Sequence, residues 1–502
     1  MDEALVVRAD EPVPSDQLAR HGLLYTFGVV VQGLASLAVL PFVTRLLGPV
    51  QYGHVAVGLS VIQLGAVIAV AGLPAAITRA YFEHRDGRRR SRAMLGLVVG
   101  LGLVLAAVAL SLWPVIGAVF SLSLASVGAM TLVVGGQAVL RAQGRPIVFI
   151  LTAIGSTAGS HLVGLGFASV SPTATSYLTG YLIGAGATAV VALLITPPMP
   201  PHRVPGAIRE GTRIILPVIP HTAALVVLTS ADPLIVARLL GTGAAGSYQV
   251  AMLLGIAPLA VLSGLNNAWT AAIMGARDED RWPLLARTLR PVMAVAAVLA
   301  VGVALAAPLA VQLLAPATFD HATMSRLVQV IALCTPAQVV YLGAATVVFH
   351  QKRTSALAWV TPLAAAAFVL SAVPLAMSLG VVGVAVAKVI GFVALAVATA
   401  LAASRVADVR WRGTAWLPIV VAVVLVVLTL QFVPATATAA WVQVGVAAVL
   451  GLVAAFLAQA RWRRASAGRL APLPPAAAPD RASTGLTAPV ITEPGPSLPR
   501  LR

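Results

Sequence analysis

Residues 85–116 read RDGRRRSRAMLGLVVGLGLVLAAVALSLWPVI, a cluster of arginines followed directly by a predominantly apolar run. About 20 apolar residues in a helix cross the hydrocarbon core of a bilayer. Runs of this kind recur along the chain and predict an all-α integral membrane protein of about fourteen transmembrane helices. The predicted spans are 23–44, 54–78, 94–116, 119–140, 147–169, 175–196, 214–237, 247–272, 289–314, 327–349, 355–378, 382–403, 415–433 and 439–459.

Positive charges fall in alternate gaps between these spans. The even-numbered gaps hold 20 arginines and lysines, whereas the odd-numbered gaps hold 3, namely Arg45, Arg238 and Arg326. Because such residues mark the cytoplasmic side of a membrane, both termini are expected in the cytoplasm. Residues 1–20 are polar and net acidic, so they do not indicate a cleavable signal peptide. We therefore expect a multi-pass protein of a bacterial inner (plasma) membrane.

Composition supports this class and argues against several others. Hydrophobic residues make up 59% of the chain and charged residues 10%, far from soluble averages. The net charge of +17 is explained by the topology and the C-terminal tail, so we expect basic loops facing anionic lipids and no nucleic-acid partner. The sequence has no phosphate-binding loop and no cluster of His and Cys. We accordingly expect no enzyme, no metal and no cofactor.

A short motif occurs twice, six predicted spans apart. Residues 45–48 and 238–241 both read RLLG, and each copy is followed five residues later by a glycine, Gly53 or Gly246. The pattern predicts two six-helix lobes related by a pseudo-two-fold axis along the membrane normal, with a substrate path between them and two appended C-terminal helices. The predicted parts are a cytoplasmic segment at 1–22, an N-lobe at 23–196, an inter-lobe loop at 197–213, a C-lobe at 214–403, appended helices at 415–459 and a disordered cytoplasmic tail at 460–502.

Three motifs resemble the polysaccharide-exporter branch of the multidrug/oligosaccharidyl-lipid/polysaccharide (MOP) flippase superfamily. They are RLLGPVQYG at 45–53, SADPLIVARLLGTGAAGSYQVA at 230–251 and GVVGVAVA at 380–387. The resemblance implies a V-shaped carrier of two lobes that alternates between inward and outward openings. It further implies that the carrier translocates an isoprenoid-pyrophosphate-linked oligosaccharide. Its partners would then be this lipid-linked substrate, membrane lipids, a polysaccharide polymerase and glycosyltransferases.

Other functions stay open beside this one. A drug/cation antiporter of the same superfamily would favour twelve spans and acidic residues deep in the first lobe. A lipid II flippase would carry more arginines in its cavity. A membrane-embedded polymerase or ligase would normally carry a large outer loop with catalytic residues, whereas the outer gaps here are short.

Asp232 and Lys388 are the only formally charged residues inside the predicted spans and away from their ends. Both should lie roughly 8–9 Å beneath the outer surface, at 1.5 Å per helical residue, so they could form a pair. Ionisable groups at this depth are costly and are functional candidates by default. Three interpretations are open: a structural ion pair or snorkelling lysine, contact of Lys388 with an anionic substrate, and ion coupling at Asp232. Compared with the resembled family, Lys388 replaces a residue that is usually small.

Other polar residues are weaker candidates. Arg45 and Arg238 lie at the outer ends of equivalent spans, where each could meet a head group or simply snorkel to the interface. Gln32 lies in the middle of span one, where it could line a cavity or bond a neighbouring helix. His161 in span five is either a hydrogen-bonded interior imidazole or a proton relay.

Overall fold

The structure is a computed structural model. It describes the backbone of residues 15–206, 209, 211–213, 216, 218–353, 355–409, 411, 417, 420–421, 423–426, 441–442 and 445, with side chains from 37 onward except at 268. The side chain of Gln32, most of the predicted appended helices and the predicted tail lie outside this part of the chain.

Ten helices of the described chain are long and apolar enough to cross a membrane, and a bent pair raises the number to eleven. The pair is Ile219–Ser230 and Asp232–Leu240, which meet at 54°. These elements cover predicted spans one to twelve, because spans one and two share the segment Leu37–Glu83. The all-α membrane fold is therefore confirmed. The total of fourteen is not, since the last two predicted spans lie largely outside the described residues.

The first half of the chain contributes helices up to residue 195. Their bounds are Ser15–Ala69, Leu73–Glu83, Gly87–Ser111, Trp113–Ile116, Ala118–Ala142, Pro146–Ile154, Ser160–Val170 and Ala174–Ile195, with a π-helical turn at Gly155–Gly159 and a 3₁₀ turn at Pro201–Arg203.

The second half contributes the helices that follow the bent pair. Their bounds are Thr242–Gly255, Ala257–Met274, Asp278–Leu314, His321–Ala332, Cys334–His350, Ser355–Leu379 and Val381–Val406.

Local sequence explains how several helices begin and how polar side chains fit into them. The helices Ala174–Ile195 and His321–Ala332 both begin with a side-chain cap. The backbone N–H of Ser176 donates to the Thr173 hydroxyl, and the backbone N–H of Thr323 donates to the Asp320 carboxylate. Within the spans, buried hydroxyls donate to the carbonyl four residues earlier, as Thr131 does to Val127. These bonds satisfy the hydroxyls where no water is available.

Both copies of the RLLG motif end at a glycine that interrupts the helix. Gly48 has φ 65° and ψ 179°, and Gly241 has φ 92° and ψ 165°. Residues with a side chain rarely adopt a positive φ in this range, so glycine is needed at both positions. Each break separates the helix that ends at the motif from the helix that follows it.

The helices that follow these two breaks cross at Gly53 and Gly246. A Cβ atom on Gly53 would lie 1.8 Å from the Thr242 carbonyl oxygen, and one on Gly246 would lie 2.3 Å from the Pro49 carbonyl oxygen. Pro49 precedes Gly53 by four residues, as Thr242 precedes Gly246, so the contact is symmetric between the copies. The second glycine of each motif therefore allows the two repeats to meet backbone to backbone.

The largest buried apolar cluster extends from this crossing into both halves of the chain. It includes Tyr52 and Leu178 from the first half and Leu228, Tyr248 and Phe368 from the second half. Packing between the halves therefore continues below the crossing, and it forms part of the wall of the cavity described in the next section.

Replacing Gly246 with alanine should separate the crossing helices, because the new methyl group overlaps the Pro49 backbone. Overpacking of this kind costs about 1–3 kcal/mol, which would appear as a lower midpoint of thermal unfolding in detergent. Gly243→Ala is the matched control, since a Cβ on Gly243 in the same helix would meet only Val50 at 3.6 Å. Equal midpoints for the two variants would contradict the close crossing.

Candidate functional site

Asp232 and Lys388, the two charged residues predicted to lie inside the membrane, form a buried ion pair. Lys388 Nζ donates to Asp232 Oδ2 at 2.6 Å, and both side chains are 0% exposed. Nζ also donates to the carbonyl oxygens of Thr229 at 3.0 Å and Leu228 at 3.3 Å. Tyr248 donates its hydroxyl to Asp232 Oδ2 at 2.9 Å. The lysine is therefore surrounded by oxygen acceptors from the end of one helix and the start of the next.

This pair lies at the bend between Ile219–Ser230 and Asp232–Leu240. Pro233 lacks an N–H and cannot continue the hydrogen-bond ladder of the first helix, so the Thr229 carbonyl is free to accept from Lys388. Asp232 begins the second helix, where the helix dipole favours a carboxylate. The bend between the two helices thus offers several hydrogen-bond acceptors, and the ammonium group of Lys388 lies at the same depth and pairs with them.

Arg45 and Arg238 differ although the repeat makes them equivalent. Arg45 donates from Nη2 to the Leu313 carbonyl at 2.9 Å, and Thr44 donates to the Leu314 carbonyl at 2.6 Å. These bonds satisfy carbonyls at the C-terminal end of helix Asp278–Leu314 and tie the first half of the chain to the second. Arg238 is exposed and makes no comparable bond among the described residues.

A cavity of about 550 Å³ lies between helices of the two halves. Its lining includes Tyr52 and Gln249, which lie within one helical turn of the crossing glycines Gly53 and Gly246, and it reaches Pro74 and Thr222. Its wall consists of Val39, Leu40, Val43, Tyr52, Leu59, Ile62, Gln63, Ala66, Val67, Val70, Ala71, Gly72, Pro74, Met130, Val134, Thr157, His161, Tyr177, Tyr181, Thr222, Val226, Thr229, Ser230, Gln249 and Leu253.

The polar part of this wall includes a group of aromatic and imidazole side chains. His161 Nδ1 and the Tyr177 hydroxyl are hydrogen-bonded at 2.6 Å, and the rings of His161 and Tyr181 meet edge to face at 5.2 Å. His161 follows the π-helical turn Gly155–Gly159, which also contains the cavity residue Thr157. Such turns inside α-helices are frequent at functional sites because they change the direction in which side chains project.

Sequence analysis identified Asp232 and Lys388 and left their pairing open, but it missed most of the residues that line the cavity. Gln63 and Gln249 are long polar residues inside predicted spans, the same signal that singled out Gln32, and both line the cavity. Tyr177 and Tyr181 are four residues apart and therefore share a helix face, a pattern equally typical of a packed core. Neither signal could identify a cavity without knowing which helices face each other.

Comparisons with known proteins connect this geometry to a family. Residues 18–270, half of the chain, match the profile of a family described as "Polysaccharide biosynthesis protein". A search among functionally curated proteins gave no match.

Several solved structures share the fold at low sequence identity. A lipid II flippase, MurJ, in an inward closed conformation is 14% identical with a TM-score of 0.61, covering 88% of this chain and 98% of its own. An outward-facing multidrug resistance MATE transporter is 16% identical with a TM-score of 0.56, covering 79% and 96%. A MOP superfamily transporter from Pyrococcus furiosus is 15% identical with a TM-score of 0.53, covering 78% and 96%. The expected likeness to the MOP superfamily fold is confirmed.

Removing either partner of the buried pair should destabilise the protein strongly. We expect Asp232→Asn and Lys388→Met each to lower the free energy of unfolding by about 3–5 kcal/mol. The first change leaves the buried ammonium group of Lys388 without its counter-ion, and the second leaves the Asp232 carboxylate without its counter-ion. The double variant should lose much less than the sum of the two, as measured by thermal unfolding in detergent. Glu83→Gln, which breaks the exposed Arg79–Glu83 pair, is the control and should have little effect. Additive losses would contradict the pairing.

Proposed function

Because this chain belongs to the polysaccharide biosynthesis protein family, we propose that it translocates a lipid-linked oligosaccharide across the bacterial inner membrane. In this role it receives a sugar unit that glycosyltransferases have assembled on an isoprenoid carrier in the cytoplasm. It delivers that unit to a polymerase on the opposite face.

The cavity between the two halves is the single observation that carries the proposal. Tyr52 and Val67 both line it and belong to one stretch of helix, so it follows that helix for roughly 22 Å. The hydrocarbon core of a bilayer is about 30 Å thick, so a path of this length serves most of the crossing. A sugar head group needs polar groups along its path, because its hydroxyls lose their hydrogen bonds in hydrocarbon. The wall supplies hydroxyl, amide and imidazole groups among its apolar residues.

The glycine crossing supplies a gate at one end of this path. The charge bias predicts that the crossing lies on the outer side, where its close contact would separate the cavity from that face. Separation of Gly53 from Gly246, with closure at the other end, would present the cavity outward. The isoprenoid tail stays in lipid beside the lobes throughout, because it needs no polar path.

The cavity favours a sugar head group over the two other superfamily substrates. None of its described lining residues is Lys or Arg, so the cluster of arginines expected for lipid II is missing from that part of the wall. None of them is Asp or Glu, which would attract a cationic drug. The mainly apolar character of the wall, in which Val is the commonest residue, nevertheless favours the drug antiporter as the second candidate function.

Reconstituted liposomes can decide between these functions. We expect the purified protein to accelerate transbilayer movement of a fluorescent short-chain isoprenyl diphosphate carrying a neutral disaccharide. Tetraphenylphosphonium is the comparison substrate. Movement of the organic cation without movement of the sugar lipid would contradict the proposed function and support the antiporter.

Filling the cavity should block translocation. Val67→Trp places an indole in the cavity and should abolish movement of the sugar lipid in the same liposome assay. Val104→Trp is the matched control, because Val104 is 59% exposed on helix Gly87–Ser111 and lies outside the cavity wall. Equal rates for both variants would show that the substrate takes another path.

The ion pair can be tested in the same assay. A folded Asp232→Asn/Lys388→Met double variant should translocate the sugar lipid at close to the wild-type rate, because the pair is sequestered from the cavity. Loss of transport with stability retained would instead assign the pair a role in ion coupling or substrate contact.

A further inference from the structure

Gln249, a residue of the cavity wall, carries a buried hydrogen-bond acceptor that has no partner among the described residues. Its side chain lines the cavity and is 2% exposed, and its Oε1 atom has no hydrogen-bond partner among the described residues. A buried carbonyl oxygen without a partner is costly, so a ligand that brought a hydrogen-bond donor to it would be stabilised. The neighbouring Tyr248 is anchored to Asp232 and fixes this turn of the helix.

Aromatic and imidazole side chains from the first half of the chain complement this acceptor on the second half. Tyr177 and Tyr181 line the cavity with His161 between their rings, and Thr157 adds a hydroxyl from the π-helical turn. Aromatic side chains offer flat apolar faces, and the hydroxyl and imidazole groups offer hydrogen bonds at their edges. Pyranose rings have the same two features, a C–H face and a rim of hydroxyl groups.

The charge of the described wall decides which sugars are compatible. Apart from tyrosines, the only ionisable group of this described wall is the imidazole of His161. The described wall has no carboxylate, ammonium or guanidinium group. Lys388 lies behind the wall, fully buried and already paired with Asp232. A phosphate or carboxylate that entered would lose its hydration without gaining a cation, whereas a hydroxyl would gain the acceptor on Gln249.

We propose that this cavity binds the uncharged, hydroxyl-bearing sugar rings of the substrate and discriminates against acidic sugars. This inference rests on the proposed function and narrows its substrate class. A volume of about 550 Å³ is typical of a pocket that holds one small molecule rather than a long oligosaccharide. Gln249 accepts a hydrogen bond from a sugar hydroxyl or amide.

Binding of two matched lipids to the purified full-length protein tests the charge rule. One probe is a short-chain isoprenyl diphosphate carrying a neutral hexose disaccharide, and the other carries the same disaccharide with one hexuronic acid. We expect the neutral probe to bind at least about tenfold more tightly, because the carboxylate is desolvated without a partner. Equal or tighter binding of the hexuronic acid probe would overturn the proposal.

A variant of Gln249 tests the proposed acceptor. Gln249→Leu should weaken binding of the neutral sugar lipid by roughly five- to tenfold and leave binding of the sugar-free isoprenyl diphosphate unchanged. Gln338→Leu is the matched control, since Gln338 Oε1 also has no partner among the described residues but does not belong to the described cavity wall. Unchanged affinity in Gln249→Leu, or an equal loss in both variants, would overturn the assignment.

The two proposals fail in different ways. If the protein binds both sugar lipids equally and more tightly than the sugar-free lipid, the transport proposal stands and only the charge rule fails. If neither sugar lipid binds better than the sugar-free lipid, while tetraphenylphosphonium binds, the proposed function fails and this inference fails with it.

Discussion

The absence of water in the hydrocarbon core governs this structure. A buried polar group there can find a partner only within the protein or in a ligand, and many of the described polar groups have a protein partner. Hydroxyls bond the preceding turn of their own helix, as Thr131 does. Arg45 and Thr44 satisfy the carbonyls of Leu313 and Leu314 at the end of a distant helix. The buried lysine satisfies a carboxylate and two carbonyls at a helix bend.

The same constraint explains why the buried ion pair and the cavity have different chemistry. Asp232 and Lys388 neutralise each other in a fully buried position and allow a transmembrane helix to bend. The described cavity wall carries hydroxyl, amide and imidazole groups, which can exchange partners with a passing substrate at little cost. Charge is used where the geometry is fixed, and neutral polar groups are used where a ligand comes and goes.

The repeated RLLG motif connects local backbone chemistry to the proposed mechanism. Gly48 and Gly241 interrupt the helices, and the glycines five residues later let the following helices touch. At Gly53 and Gly246 the two helices meet backbone to backbone, and no side chain stands between them. A contact of that kind is suited to a gate that opens repeatedly, and it adjoins one end of the cavity.

The sequence was sufficient to predict that the chain spans a membrane, roughly where its helices lie, and which two charged residues lie away from the helix ends. These properties follow from apolar runs, from charge bias and from the cost of burying charge, all of which act locally along the chain. Tertiary structure alone decided that Lys388 meets Asp232, that Arg45 and Arg238 have different partners, and that Gln249 shares a cavity with His161. Each depends on which helix faces stand opposite one another, and in a chain that is apolar on nearly every face, periodicity does not encode that choice.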